Sequence, residues 1–174
     1  MLERHVFLIG MPGSGKSSLG RKVAANLKLP YVDTDRRIAE ILSCGSTAEV
    51  FERYGEQGFR NAETNLLIQL TREDPCLVST GGGTVLREEN RTIMQNYGLI
   101  LLVDRPLEQI LKDIKLDDRR PNLVGKGLED VEKLYNERIG IYRESADIVL
   151  DNSKGYYAGV AGLEKLLRLR FKFP

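Results

Sequence analysis

Residues 10–17, with the sequence GMPGSGKS, have the residue types and spacing of a phosphate-binding loop. They fit the pattern G-x-x-x-x-G-K-[ST] and lie between a strand-like and a helix-like run, which is the context this motif requires. Gly13, Ser14 and Gly15 allow a tight turn whose backbone N–H groups point at phosphate oxygens, beside the positive end of the next helix. Lys16 can then reach the β- and γ-phosphates, and Ser17 can bind Mg²⁺. A glycine-rich turn without a ligand is the alternative, but the context favours binding of a nucleoside triphosphate.

Two carboxylates, Asp33 and Asp35, follow the short apolar run at residues 31–32. At a strand end one of them can hold Mg²⁺ through water, and the other can accept a hydrogen bond from an acceptor hydroxyl. The alternative is helix capping, because aspartate is favoured at a helix N-cap. Both interpretations hold together if Asp35 caps the helix while Asp33 faces the metal.

Arg60 and Glu63 lie three residues apart in a helical pattern, so they share a helix face and can form an ion pair. On an exposed surface such a pair stabilises a helix by only a few tenths of a kcal/mol. In a cleft, Glu63 would instead hold the Arg60 guanidinium ready for bidentate binding of a substrate carboxylate.

The sequence Thr80-Gly81-Gly82-Gly83 follows the apolar run at residues 76–78. Three glycines at a strand end permit close approach of a ligand to the backbone. A flexible turn is the alternative, but we favour a ligand-facing loop because a turn after a buried strand rarely needs three glycines.

The polar segment 115–127 has no periodicity at its centre, where Arg119 and Arg120 lie, and this is typical of a mobile flap. An arginine that a closing flap delivers can neutralise charge on a transferring phosphoryl group. Solvated loop arginines are also common. Arg138, in the helical pattern at 128–145, can equally be an ordinary helix-surface residue.

Apolar runs alternate with amphipathic stretches along the chain, which predicts a single α/β domain with a parallel sheet covered on both faces. Ligands of such sheets bind beyond the carboxyl ends of the strands, where every motif above is expected to lie. We predict strands at 5–9, 31–33, 76–79, 99–103 and 148–150. We predict helices at 16–27, 36–42, 46–54, 59–71, 87–97, 107–114, 128–145 and 157–170.

The composition narrows the functional classes. Among 174 residues, 26 Lys and Arg balance 25 Asp and Glu, leaving a net charge of +1, so nucleic acid is not an expected partner. The longest apolar runs are strand-sized and too short to cross a bilayer. The first residues lack a signal-peptide core, and Cys44 and Cys76 have no metal or redox spacing, which predicts a cytoplasmic protein. Without an apolar surface stripe, a monomer is expected.

Together these motifs resemble the shikimate kinase family, one of the P-loop, nucleoside-monophosphate-kinase-like families. The resemblance runs from G-x-x-G-x-G-K-S-x-x-G-R at residues 10–21 through D-T-D, G-F-R-x-x-E, T-G-G-G and R-R-P to E-R…Y…A-D, which ends at Asp147. It implies a three-layer α/β/α fold over residues 1–174, a five-stranded parallel sheet ordered 2-3-1-4-5, and a mobile lid at about 112–127. It also implies transfer of the ATP γ-phosphate to the 3-hydroxyl of shikimate.

The resemblance also implies a role for each matching position. Catalysis would involve Lys16, Asp35 and Arg120. ATP would be bound by Gly13, Ser14, Gly15, Lys16, Ser17, Ser18 and Arg120. Shikimate would be bound by Asp35, Arg60, Gly82 and Arg138, with the two arginines on its carboxylate. Mg²⁺ would be bound by Ser17 and, in its outer shell, Asp33.

The chain departs from the family pattern at two places. Where the lid begins, the family commonly has an arginine stacked on adenine, and here Leu111-Lys112-Asp113 stands instead, with Lys112 as the expected substitute. Gly140 replaces a usual proline and is expected to loosen the helix end near Arg138. Two rival functions stay open: another small-molecule kinase, such as a gluconate kinase, and a non-catalytic nucleotide-dependent interaction module.

Overall fold

The computed structural model describes residues 2–116 and 128–172, with the backbone alone at 114–116. Its strands form a five-stranded, fully parallel sheet in the order β2-β3-β1-β4-β5, as predicted. They are His5–Ile9 (β1), Tyr31–Asp33 (β2), Leu77–Ser79 (β3), Gly98–Asp104 (β4) and Ile148–Asp151 (β5).

Helices cover both faces of this sheet, which confirms the predicted three-layer α/β/α architecture. Successive residues of β1 point to opposite faces, so Phe7 and Ile9 join one apolar core while Val6 and Leu8 join the other. The described helices are Lys16–Leu27 (α1), Thr34–Ile41 (α2), Thr47–Leu70 (α3), Glu88–Tyr97 (α4), Leu107–Leu116 (α5), Leu128–Ser145 (α6) and Tyr156–Arg170 (α7).

The structure refines three expectations about helices. The helices predicted at 46–54 and 59–71 are both present in α3, and they meet at a kink at Gly55, whose backbone is non-helical with φ at 67°. Helix α5 extends to Leu116, so the first five residues of the predicted lid are helical, and 117–127 lie outside the described residues. Helix α6 runs five residues beyond Gly140, so the expectation that this glycine loosens a helix end was wrong.

The strand order determines which residues reach the functional cleft from each side. Because β1 is central, the loop that follows it lies between the ends of β2 and β3 on one side and those of β4 and β5 on the other. We call the residues that β2, β3, α3 and α6 bring to the cleft the β2–β3 side, because Tyr142 of α6 contacts the loop after β3. The residues that lie directly after β4 and β5 or on α5 form the β4–β5 side.

Candidate functional site

A cavity of about 910 Å³ opens at the carboxyl ends of the strands, where ligands of parallel sheets bind. Its size is at the upper end of the range for small-molecule sites. Most of the residues expected to bind ligands line it: Gly13, Lys16, Ser17, Ser18, Asp35, Arg60, Gly82 and Arg138, together with Gly15 and Glu63.

The loop after β1 has the backbone that a phosphate cradle requires. Gly10, Gly13 and Gly15 adopt φ values of 142°, 83° and 99°, which side-chain-bearing residues rarely adopt. A Cβ at Gly10 would lie 2.7 Å from the Val103 carbonyl oxygen, so the space also excludes a side chain there. Helix α1 begins at Lys16 and therefore directs its first N–H groups and its positive dipole end into the cavity.

The Lys16 ammonium is folded over this loop. Its Nζ donates to the carbonyl oxygens of Gly10 and Met11, both at 2.8 Å. Burial lowers the pKa of Lys16 to about 8, although the carboxylates of Asp35 and Asp33 oppose that shift. The buried Ser14 hydroxyl has no hydrogen-bond partner among the described residues. Since a buried polar group without a partner is costly, this hydroxyl fits a site that a polar ligand completes.

The expected metal-binding side chains lie at the ends of α1 and β2. The Ser17 hydroxyl is 3.1 Å from that of Ser79. Asp33 is the N-cap of α2, and its Oδ1 accepts a 3.3 Å hydrogen bond from the Arg36 backbone N–H. The prediction that Asp35 caps the helix was therefore wrong, because that position is taken by Asp33, the last residue of β2.

Asp35, in the first turn of α2, lines the cavity and is unusually basic for a carboxylate. Burial is the main cause, followed by the charges of Asp33 and Glu63, and together they raise the pKa of Asp35 to about 6. The cations Lys16 and Arg60 act in the opposite direction. The buried Asp35 Oδ1 has no hydrogen-bond partner among the described residues, so this carboxylate oxygen can accept a hydrogen bond from a ligand.

Arg60 and Glu63 form an ion pair in the cleft and not on an exposed surface. The Arg60 Nη1 and Glu63 Oε2 atoms are 2.5 Å apart, and the two side chains are only 14% and 1% exposed. The Thr84 hydroxyl donates to the other Glu63 oxygen at 2.6 Å, and the Arg60 guanidinium lies over the Phe59 ring, 5.5 Å from its centroid. The guanidinium is therefore held on two sides, which rules out the surface-pair interpretation.

The glycine loop after β3 lines the cavity as predicted. A Cβ at Gly81 would lie 2.6 Å from Asp35 Oδ1, and one at Gly83 would overlap the Arg60 guanidinium. Bare backbone is needed here because the charged side chains occupy the adjacent space. The Gly81 N–H donates to the Thr34 hydroxyl at 3.0 Å, which fixes the end of β3 against the end of β2.

Helix α6 brings Arg138 to the cavity and Tyr142 to the glycine loop. Tyr142 is fully buried, and its hydroxyl donates to the Gly82 carbonyl at 2.5 Å. The charge of Arg138, one helical turn away, acts on the same hydroxyl and opposes the rise in its pKa. Arg138 lines the cavity and is therefore not an ordinary surface residue. Arg120, the predicted lid arginine, lies outside the described residues.

The β4–β5 side contains polar residues that the motif analysis missed. Arg105 follows β4 and donates through Nη1 to the Gly13 carbonyl at 3.0 Å and to Asp113 Oδ2 at 2.7 Å. Asn152 follows β5 and donates to the Ser14 carbonyl at 2.8 Å. Each residue directly follows its strand end, so its position alone is a signal that could have found it. Lys112, the expected substitute for the stacking arginine, is exposed, and Asp113 lines the cavity in its place.

Two negative findings concern metals and membranes. The described part of the chain contains no group of three or more His, Cys, Asp or Glu residues arranged to hold a metal ion. Within the same residues, no helix is both long and apolar enough to cross a membrane.

Comparison with known proteins gives a consistent result. The family model for shikimate kinase matches residues 12–162. A shikimate kinase of Clostridium beijerinckii is 39% identical over 153 residues, which cover 88% of each chain. A solved shikimate kinase of Acinetobacter baumannii, in complex with shikimate, superposes with a TM-score of 0.83 at 29% identity and covers 96% of this chain and 92% of its own. That of Aquifex aeolicus gives 0.78 at 31% identity, covering 95% and 96%.

Proposed function

The chain belongs to the shikimate kinase family, and we propose that it transfers the γ-phosphate of ATP to the 3-hydroxyl of shikimate. The observation that carries this proposal is a single cavity in which a phosphate loop faces a carboxylate flanked by two arginines. Lys16 and Asp35 are close enough for each to shift the pKa of the other, and the charge of Arg138 also acts on Lys16. The residues assigned to the phosphate donor and those assigned to the acceptor substrate therefore lie in the same cavity.

The phosphate donor is assigned to the loop and the start of α1. The N–H groups of Gly13, Ser14 and Gly15 would surround the phosphates, and Ser18 would add its hydroxyl. Lys16 would exchange its two carbonyl partners for phosphate oxygens, which are stronger acceptors because they are charged. The Lys16 exchange replaces contacts that the folded loop already makes, so it requires little reorganisation.

We assign Mg²⁺ to the Ser17 hydroxyl, with Asp33 contacting the ion through water. The donor set fits this ion, which typically binds one or two protein oxygens and otherwise phosphates and water, so no carboxylate cluster is needed. When bound, Mg²⁺ supplies charge neutralisation at the β- and γ-phosphates.

The acceptor is assigned to the β2–β3 side. Arg60 and Arg138 would bind the carboxylate of shikimate, and the backbone at Gly82 would contact its ring substituents. Asp35 would accept a hydrogen bond from the 3-hydroxyl. Because its pKa is about 6, this carboxylate is ionised at neutral pH yet basic enough to assist removal of the proton.

The proposed step forms one bond and breaks one bond. The oxygen of the shikimate hydroxyl attacks the γ-phosphorus, and the bond from that phosphorus to the β–γ bridging oxygen breaks, which releases ADP. The hydroxyl proton passes to Asp35. Lys16 neutralises the charge of the transferring group, and we assign Arg120 to the same task from the lid.

The first test is release of ADP from MgATP by the full chain, with shikimate, gluconate or a nucleoside monophosphate as the acceptor. We expect turnover that depends on shikimate and that Lys16→Ala reduces about 10²- to 10³-fold. Turnover with gluconate alone, or with the nucleoside monophosphate alone, would overturn the assignment of shikimate as the substrate but would still identify the protein as a kinase. Tight ATP binding without turnover on any acceptor would favour a non-catalytic module.

We further propose that the protein acts as a cytoplasmic monomer on a small molecule. The two cysteines, Cys44 and Cys76, are both buried and free, which suits a reducing compartment. Light scattering at micromolar protein concentration measures the molar mass, and the mass of a dimer would overturn the proposal of a monomer.

A further inference from the structure

We propose that Arg105 and Asp113 bind the nucleoside part of the phosphate donor and thereby position its phosphates. This inference rests on the proposed function, because it assumes that the donor is a nucleotide. Neither residue belongs to the phosphate-loop motif. Both line the same cavity, at the end of β4 and on the first turns of α5.

The topology determines where a nucleoside can lie. The phosphates are fixed at the start of α1, after the central strand, and the acceptor groups Asp35, Arg60 and Arg138 occupy one side of the cavity. The terminal phosphate must face that side, so the nucleoside must extend to the other. The cavity lining there consists of Arg105, Asp113, Asn152, Gly155 and Tyr156.

The Arg105–Asp113 ion pair is held rigidly against the phosphate loop. Arg105 Nη1 binds the Gly13 carbonyl and Asp113 Oδ2, at 3.0 and 2.7 Å. Gln109, on the helix turn between them, donates to the Ser153 carbonyl at 2.9 Å, which ties α5 to the loop after β5. Arg105 is only 18% exposed, so solvent screens this pair less than a typical surface pair.

The chemistry of this pair suits a nucleoside. A guanidinium is planar and stacks on aromatic rings, and its position is already fixed by two hydrogen bonds. The Asp113 carboxylate, which is about one-third exposed, can accept hydrogen bonds from ribose hydroxyls or a base amine. Across the cavity, a Cβ at Gly155 would meet nothing within 4 Å, so the space beside this glycine is open.

A different result is expected if Arg105 only supports the phosphate loop. If Arg105 does no more than hydrogen-bond the Gly13 carbonyl, its loss would weaken binding of any polyphosphate. If it contacts the nucleoside, its loss would weaken binding of ADP but not of tripolyphosphate, which has no nucleoside. The comparison of these two ligands therefore separates the two roles.

The experiment is calorimetric titration of the full chain with MgADP and, separately, with magnesium tripolyphosphate. We expect Arg105→Ala to weaken ADP binding by about tenfold or more and to change tripolyphosphate binding by less than about twofold. The variant Asp113→Asn, which keeps the size but removes the charge, should weaken ADP binding by about threefold or more. Titration with 2′-deoxyADP and with IDP then shows whether Asp113 binds the ribose or the base amine.

Arg143→Ala is the matched control. Arg143 also pairs with an aspartate near β4, Asp104, at 3.5 Å, but it is 60% exposed and lies outside the cavity lining. We expect this variant to bind both ligands as the parent does.

Two outcomes would overturn the inference. Equal weakening of ADP and tripolyphosphate binding by Arg105→Ala would make Arg105 a support of the loop alone. Unchanged binding of both ligands by Arg105→Ala would show that Arg105 does not contribute to binding of the phosphate donor. The proposed function fails separately, through absence of shikimate-dependent turnover in the parent chain, and that result leaves the binding measurement interpretable.

Discussion

The two sides of the cavity are constructed in different ways. On the β2–β3 side, buried charged side chains act on one another: Arg60 pairs with Glu63, and the charges of both shift the pKa of Asp35. On the β4–β5 side, polar side chains hold the backbone of the phosphate loop, as Arg105 holds the Gly13 carbonyl and Asn152 the Ser14 carbonyl.

This difference has consequences for stability and for function. A buried charge that loses its partner is costly, so substitutions on the β2–β3 side should change stability as well as acceptor binding. A hydrogen bond to an already folded loop contributes less, so substitutions on the β4–β5 side should mainly change donor binding. The predictions below test this separation, beginning with the largest effect.

We expect Asp35→Asn to reduce kcat about 10²- to 10⁴-fold, because the hydroxyl loses its proton acceptor. The same change should raise the melting temperature at pH 7.5. In the folded chain the pKa of Asp35 is raised from 3.8 to about 6, so its ionisation costs stability progressively between these two pH values, and the full cost is present at pH 7.5. Steady-state kinetics and thermal unfolding measure the two effects.

Asp151→Asn is the control, because Asp151 is an exposed carboxylate at the end of β5. It should leave kcat within about twofold of the parent. A kcat for Asp35→Asn close to the parental value would remove Asp35 from the proton-transfer step.

We expect Arg60→Ala to raise the KM for shikimate about 10²-fold and to leave the KM for ATP nearly unchanged. The variant loses a charge-assisted contact to the substrate carboxylate. It should also lose about 3 kcal/mol of stability, since Glu63 is left buried without its partner. Arg36→Ala, which breaks the exposed pair with Glu40 on α2, is the control and should change neither quantity appreciably. An equal rise in both KM values would contradict the separation of the two sides.

The pH dependence of kcat/KM for ATP should have two limbs. Activity should fall as the pH drops through about 6, because Asp35 becomes protonated, and as it rises through about 8, because Lys16 loses its proton. Each limb should approach a tenfold change per pH unit. In Asp35→Asn the acidic limb should disappear, and its persistence there would assign that limb to another group.

The sequence predicted most of the fold, and the reason is visible in the strands. Strand β1 has five buried residues, and its four apolar ones alternate between the two cores, so the apolar run at residues 6–9 is typical of a strand buried on both faces. The predicted strand bounds agree with the structure to within one residue. The order β2-β3-β1-β4-β5 came from the family resemblance, since apolar runs alone do not specify which strands are neighbours.

Sequence motifs located residues of the cavity where a short pattern has a fixed spacing. The phosphate loop and the Arg60–Glu63 spacing are local patterns, and both lie in the cavity as expected. Arg105 and Asn152 were missed because each contacts the loop from more than ninety residues away, through a single hydrogen bond to a carbonyl. Any polar residue can make such a bond, so no motif marks these two residues, and only their positions directly after β4 and β5 point to them.

The smallest expected effect concerns Tyr142, which joins the substrate-binding helix to the glycine loop. Its hydroxyl donates to the Gly82 carbonyl. Burial raises the pKa of Tyr142 to about 12, so the hydroxyl remains a neutral donor throughout the assay range. Tyr142→Phe removes only that hydroxyl. We expect stability to fall by about 1–2 kcal/mol, because the Gly82 carbonyl loses its donor. The KM for shikimate should rise about threefold to tenfold, with the KM for ATP unchanged.

Tyr157→Phe, at an exposed tyrosine, is the control and should have no effect. Loss of stability without a change in either KM would make Tyr142 a packing residue only, and the β2–β3 side would then be held together by its ion pair alone.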